Sequence, residues 1–343
     1  MNSTRNLAAD DLQLKLTSVI SLVSTVVNFL GFYIIIMQKT RENRTFTYVQ
    51  LLYQVALYLS QFYAGTVLNI VFLFPIPGAY CIGLLKELSG LPALLAFILF
   101  ATLFSFQGIL LAAMMIMKVG AIARPYSPFK MTPNGQKLFI FLMFFMLLGS
   151  QILVLLATYS SRLEIESFLY NQHPKMIFIL RYPFLWMLTT TRHFVALITN
   201  TAGCVGVVFI IFSIALIILV IELDLQVNSM SKASNKFHKR LLMEFIIHTT
   251  VSLLFFILVP LIIAVKFFLD EDTDLSIFSA LAFSFFVSAP IPSMLVFILK
   301  NPLYRAFIMK YIRIPCPCST RNQVAPVHSS KVIHSRISVE PPR

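Results

Sequence analysis

Ionisable and nucleophilic side chains are scarce in this chain, and their placement limits the chemistry it can do. Glu244 and His248 are four residues apart within an apolar run, which puts an acid and an imidazole on one face of a helix. Such a pair could pass a proton or anchor an ion pair, and an acid in that setting calls for a basic partner to offset its burial. Two partners are open: Lys118, at the end of another apolar run, and Arg240, one turn earlier on the same helix. A hydrolase or intramembrane protease would need a second converging set of acid, histidine or serine groups, often with a metal, and no other apolar run supplies one. The four cysteines, Cys81, Cys204, Cys316 and Cys318, are too few and too scattered for a disulfide scaffold or a zinc site. These residues describe a chain that is not an enzyme and takes no cofactor.

The elements that position these residues follow from composition. Of 343 residues 58% are hydrophobic and only 12% charged, too little charge to cover water-facing domains of that length. A helix needs about 20 apolar residues to cross the hydrocarbon core, and seven stretches qualify: 16–37, 48–74, 91–117, 138–158, 194–221, 241–265 and 275–299. Glu244 is the sole Asp, Glu, Lys or Arg within them. A charge at the bilayer centre costs at least ~2.5 kcal/mol, so the rest are kept out. The expected fold is all-α, a membrane bundle of seven transmembrane helices. The segment from Met176 to Leu188 is also apolar, but Arg181 and Pro183 interrupt it, and its length suits an interfacial or re-entrant piece.

The formal charge of +13 could suggest nucleic acid, yet the basic residues lie in short blocks between apolar runs, as membrane topology requires. Most Lys and Arg fall on one side: Lys39, Arg41 and Arg44; Lys118, Arg124, Lys130 and Lys137; Lys232, Lys236, Lys239 and Arg240; and the tail. The other side holds the acidic cluster Asp270, Glu271, Asp272 and Asp274. The positive-inside rule puts the tail in the cytoplasm and the N-terminus outside. Residues 1–15 carry no removable signal peptide pattern and form an extracellular N-terminus, where Asn2-Ser3-Thr4 is a glycosylation sequon. Residues 16–299 form the transmembrane domain.

After the last span, Asn301 suits an N-cap and Pro302 the first helical position. Leu303, Phe307, Tyr311 and Ile314 then recur at helical spacing, with Arg305, Lys310 and Arg313 off that stripe. Residues 300–314 are expected to form a short amphipathic helix on the inner leaflet, its basic residues facing anionic membrane lipid. Cys316 and Cys318, just beyond, are either palmitoylated or plain tail thiols. Residues 315–343 are polar, contain Pro and Ser, and read as a disordered cytoplasmic tail.

Three blocks carry a family resemblance. Pro290-Ile291-Pro292-Ser293 through Lys300-Asn301-Pro302-Leu303-Tyr304-Arg305-Ala306-Phe307 resembles the end of the last span and the P-Y-R element of nematode serpentine chemoreceptors, class H (Srh) or a sibling class of that superfamily. The block from Phe74-Pro75-Ile76-Pro77-Gly78 to Leu84-Leu85 is similar to the first outer loop of that class. Met230-Ser231-Lys232 to Lys239-Arg240-Leu241-Leu242, with Pro260 deeper in the span, is similar to its basic approach to the sixth helix. The resemblance implies a G-protein-coupled receptor for environmental chemicals in the plasma membrane of sensory neurons, with a small-molecule ligand and a heterotrimeric G protein as partners. It implies contact with the G protein at Lys232, Lys236, Lys239 and Arg240, while the charges of Lys118, Glu244 and His248, read on their own, would form a switch. The chain departs from rhodopsin-like receptors at Met117-Lys118-Val119, where those carry an acid-arginine-aromatic triplet, and residues 159–193 hold no cysteine for the usual bridge.

Absences narrow the ligand. No Lys lies in 275–299 to bind retinal, and no acid lies in 91–117 to pair with an amine. The outer halves of the spans instead offer Phe97, Thr102, Phe104, Asn200, Phe255, Phe256, Phe283 and Phe286, which suit a small neutral molecule. A multi-pass ligand-gated channel or transporter is the alternative, since neutral groups can line a pore.

Overall fold

In a computed structural model of the chain, residues 7–37, 44–73, 77–87, 93–124, 126–182, 184–226, 243, 246–247, 249–255, 257, 276–300 and 302–312 are described. They are mostly helical. Among them five helices are long and apolar enough to cross a membrane: Ala9–Met37, Ala93–Ile122, Pro133–Ala157, Thr191–Gln226 and Ser276–Leu299. Most of 241–265 lies outside the described residues, as do Glu244, His248, Phe256, Arg240, the lysines at 232, 236 and 239, Asn2, Cys316 and Cys318.

Helix α1, Leu7–Met37, is built in reverse of a helix in water. Its buried stripe is Thr17, Ser21, Ser24 and Asn28, and its exposed face is Leu22, Val26, Phe29, Tyr33 and Ile36. Apolar tails gain nothing by leaving lipid, so small polar residues go to the helix contacts, where close approach and hydrogen bonds bring a return. Gly31 shows how close that approach is: a Cβ there would lie 2.3 Å from Met294 Sδ. α1 begins at Leu7, well ahead of the expected start at residue 16, and that extra length is used at the N-terminal end of the bundle.

Helix α2, Arg44–Phe62, packs along α3, Ala93–Ile122, and the stretch 48–74 departs from the single span expected there. At Tyr63 the helix widens into a π-helical turn, Tyr63–Leu68, and Asn69 ends it in a left-handed conformation with φ of 46°. Strand β1, Ile70–Leu73, follows and pairs antiparallel with β2, Gly78–Cys81, which pairs antiparallel with β3, Leu185–Met187. An apolar run reads alike as helix or buried strand, which is why this break is invisible in hydropathy. The segment between Met176 and Leu188 is accordingly no span: a 3-10 helix, Pro174–Arg181, leads into β3.

The break at Asn69 is held from α1. Gln13 Nε2 donates to Asn69 Oδ1 and to the Ile70 carbonyl, each at 2.8 Å, and Asn69 Nδ2 donates to Thr17 Oγ1 at 2.9 Å. All three residues are buried, so each polar group needs the partner it has.

Polar pairs also tie the helices deeper down. Gln54 Nε2 donates to Ser293 Oγ at 3.0 Å, Ser252 lies 3.4 Å from the same hydroxyl, and Gln107 Nε2 donates to Ser60 Oγ. These join α10 (Pro290–Lys300) to α2 and to α8 (described helical residues 249–255), and α2 to α3. Helix α4, Pro133–Phe144, is N-capped by Thr132, passes through a π turn, Phe145–Gly149, and continues as α5, Ser150–Ala157. Helix α6, Arg162–Gln172, starts with a Ser161–Glu164 capping box, and α7, Thr191–Gln226, runs 36 residues, about 54 Å. The last span is broken between α9, Ser276–Val287, and α10 because Pro290 has no N–H to continue the ladder.

Helix α11, Pro302–Ile312, follows the last span. Tyr304, outside the expected stripe, is its anchor, with its ring 5.6 Å from that of Phe297. Phe307 and Ile308 pack beside it, because the helix lies against the ends of α10 and α1.

Asn69→Ala should lower the thermal stability of the purified protein by on the order of 3 kcal/mol, because it removes two buried hydrogen bonds and disfavours positive φ. Asn69→Gly keeps the backbone and loses only the bonds, so it should melt between the two. Equal melting of the glycine and alanine variants would show that the left-handed turn carries no cost.

Candidate functional site

The sheet separates two apolar clusters by the strand period of two. Ile70 and Phe72 of β1, Ala79 and Cys81 of β2 and Trp186 of β3 face one way, onto Ala96 and Phe97 of α3 and Phe283, Phe286 and Val287 of α9. Val71, Leu73, Tyr80, Leu185 and Met187 face the other way and are covered by Ile165 and Leu169 of α6 and Ile179 of the 3-10 helix. The sheet is therefore the middle layer of a cap over the end of the bundle. Tyr80 closes the far side, stacked 4.2 Å from the Tyr182 ring and donating to Asp10 Oδ2 of α1 at 2.6 Å.

Under the cap the rings form two groups within one apolar cluster. Phe97 lies 5.3 Å from Trp186, Phe72 lies 6.4 Å from Phe283, and Phe286 lies 6.2 Å from both Phe283 and Phe104 (ring centroids). Four of the expected ligand residues, Phe97, Phe104, Phe283 and Phe286, are thus brought together. The others are placed elsewhere. Thr102 Oγ1 donates to the Ile98 carbonyl of its own helix at 2.8 Å. Phe255 belongs to the deeper cluster and stacks on Phe285 at 4.7 Å. Asn200 shares a helix face with Cys204, whose sulfur is 3.5 Å from Ser150 Oγ, so it is turned toward α5. Trp186 and Phe72 were missed, and the signal for them was the alternation in Leu185-Trp186-Met187 and Ile70-Val71-Phe72-Leu73, hidden because both faces of the sheet are apolar.

Polar chemistry in this cluster is limited. Tyr63 Oη donates to the Ala96 carbonyl at 3.2 Å, and the Trp186 indole N–H is buried with no partner. Burial pushes the Cys81 thiol up to about 12, so it stays protonated. Among the described residues no group of three His, Cys, Asp or Glu side chains could hold a metal ion. The arrangement can bind through ring contacts and a few donors.

A second polar site lies at the opposite end of α3 and α7. The buried stripe of α7 runs Val205, Val208, Phe212, Ala215, Leu219 and then Glu222, an acid at the next position of an apolar series. It is 1% exposed and must be paired. Arg124, just beyond α3, gives its Nε at 3.0 Å and its backbone N–H at 3.2 Å to Glu222 Oε2, and Ser127 Oγ donates to Oε1. Gln226 Nε2 donates to the Ile122 carbonyl at 2.7 Å, filling one of the open acceptors at the end of α3. The expected fifth span stopped at residue 221, which hid this acid. Lys118, the expected switch residue, has its Nζ 4.2 Å from the centre of the Phe46 ring of α2.

Comparison with curated proteins gives no match. A family model described as serpentine type 7TM GPCR chemoreceptor Sri matches residues 12–308. That stretch contains both polar sites, the cap and every helix from α2 to α10. The resemblance pointed to class H or a sibling class of that superfamily; the match supports the superfamily and not class H itself, because the shared features are those of layout, common to sibling classes. The chain belongs to the Sri family of serpentine seven-transmembrane GPCR chemoreceptors.

Proposed function

We propose that this chain is a plasma-membrane receptor of sensory neurons that binds a small, neutral environmental molecule beneath the cap and activates a heterotrimeric G protein. Family membership over residues 12–308 is the observation that carries this reading. In it seven helices span the membrane, the N-terminus with Asn2 lies outside, and Cys316 and Cys318 lie inside, where they can be palmitoylated. Phe97, Phe104, Phe283 and Phe286 supply the ligand surface. Lys232, Lys236, Lys239 and Arg240 meet the G protein.

The clasp of Arg124, Ser127 and Glu222 supplies the two-state element. It joins the cytoplasmic ends of α3 and α7, and a pair of Lys118 with Glu244, beside His248, would join α3 to the sixth span in the same way. Such contacts hold a closed arrangement, and a ligand can only favour the open one by its differential affinity for it.

Expression in cultured cells with cAMP and calcium readouts, against a panel of neutral odorants, tests the function. At least one compound should raise a signal that is lost when the G protein is inactivated; a ligand-evoked current that survives such inactivation would establish the channel reading instead. An epitope ahead of Leu7 should be stained on intact cells, and staining only after permeabilisation would reverse the topology. Neutralising Lys232, Lys236, Lys239 and Arg240 together should abolish signalling with ligand binding and surface expression preserved; signalling at the normal level would leave these charges with orientation alone.

Glu222→Gln should raise ligand-independent signalling per receptor at the surface, shifting the active fraction by about 5- to 150-fold. Arg124→Gln should do the same, and the double variant should add little to either, since both remove one interaction. Additive effects would mean the two side chains act separately.

A further inference from the structure

Trp186 is the single tryptophan of the chain, and its indole N–H is buried with no partner. Its backbone is fixed by β3, opposite Ala79 in the register of β2, and the strand period turns its indole inward onto the aromatic set while Leu185 and Met187 turn outward. Phe97, Phe283 and Phe286 are closed off, whereas Trp186, Phe72 and Phe104 keep part of their surface open. The Tyr63 hydroxyl of the same cluster already donates to Ala96, and Cys81 is an uncharged thiol, a weak donor.

We propose that the ligand of this site carries a hydrogen-bond acceptor on an apolar frame, a carbonyl compound above all, and that its oxygen docks on the indole N–H of Trp186. This rests on the ligand-binding reading given above and names the chemical class that reading leaves open. The physical ground is asymmetry: an unmade hydrogen bond in a dry site is costly, and an acceptor removes that cost whereas a hydrocarbon of the same shape leaves it in place. No carboxylate is present in the described cluster to receive an amine, and no cation to receive an acid. Ring contacts then hold the frame without selecting it closely, so the N–H sets the class and the surrounding rings set the size.

The test uses pairs of probes that differ only in the acceptor: cyclohexanone against methylenecyclohexane, and acetophenone against α-methylstyrene, in which a CH2 group replaces the carbonyl oxygen. With the full-length receptor in lipid nanodiscs, Trp186 is its own reporter, and each ketone should give a saturable change in tryptophan emission. Each ketone should bind about 10- to 100-fold more tightly than its hydrocarbon. Trp186→Phe keeps a ring in place and removes only the donor; followed by ligand-induced thermal stabilisation, it should bind the two members of each pair alike. Equal affinities in the unaltered receptor, a ketone preference that persists in Trp186→Phe, or no saturable response to either ketone would overturn the proposal. Nucleotide exchange on an added G-protein heterotrimer separates the two readings. Ketone preference at Trp186 without exchange removes the receptor function and leaves the docking assignment standing, and exchange driven equally by ketone and hydrocarbon does the reverse.

Discussion

Three side chains, Gln13, Thr17 and Asn69, carry the constraint from which the cap end of the molecule follows. Their hydrogen bonds fix a left-handed residue at the point where a helix must stop inside an apolar stretch. Left-handed backbone is disfavoured for most side chains and tolerable for asparagine, whose amide can be held in place. Once the chain turns there, β1 leaves in a set direction, and the pairing of β2 and β3 onto it decides which of their residues face the helices. A slip of one residue would exchange Trp186 for Leu185 or Met187 and put the wrong set inward. Position of the node, register of the sheet and composition of the aromatic set are one constraint seen at three scales.

The two ends of the bundle treat polarity differently. At the cap end the buried polar groups are neutral and mostly paired within the network. At the other end a carboxylate is buried on the α3-facing stripe of α7 and answered by a guanidinium that is itself 44% exposed. A buried ion pair of this kind adds little to stability over apolar packing, yet losing one partner strands the other. It is thus a poor glue and a good latch. Between the ends, Gln54, Ser252 and Ser293 join three helices at one point, a junction through which a change at the cap and a change at the latch could be felt by the same helices.

Much of this layout was legible in the sequence, because a helix in lipid must be long and apolar. The five helices long enough to span each overlap an expected stretch, α1 starting before it and α7 running past it. What hydropathy could not show was a change of secondary structure within an apolar run, so 48–74 concealed the turn at Asn69 and the strand after it. The same blindness hid Trp186, since a sheet buried on both faces has no polar alternation to betray it. Glu222 was passed over for a different reason: the span was ended at the first acid, although the buried stripe of α7 continues through it. Helical phase, followed past the apparent boundary, would have found the latch.

Cys81 lies in the middle strand of the cap as a buried thiol, and neither described cysteine is bridged. The three layers of the cap, within the described residues, are accordingly joined by packing and hydrogen bonds alone. Reducing agents have nothing there to cleave, and the near absence of thiolate denies oxidants and alkylating reagents a nucleophile. Assembly of this end of the molecule is then a matter of bringing β3 to β2 across about 100 intervening residues, a slow search limited by chain topology and not by thiol exchange.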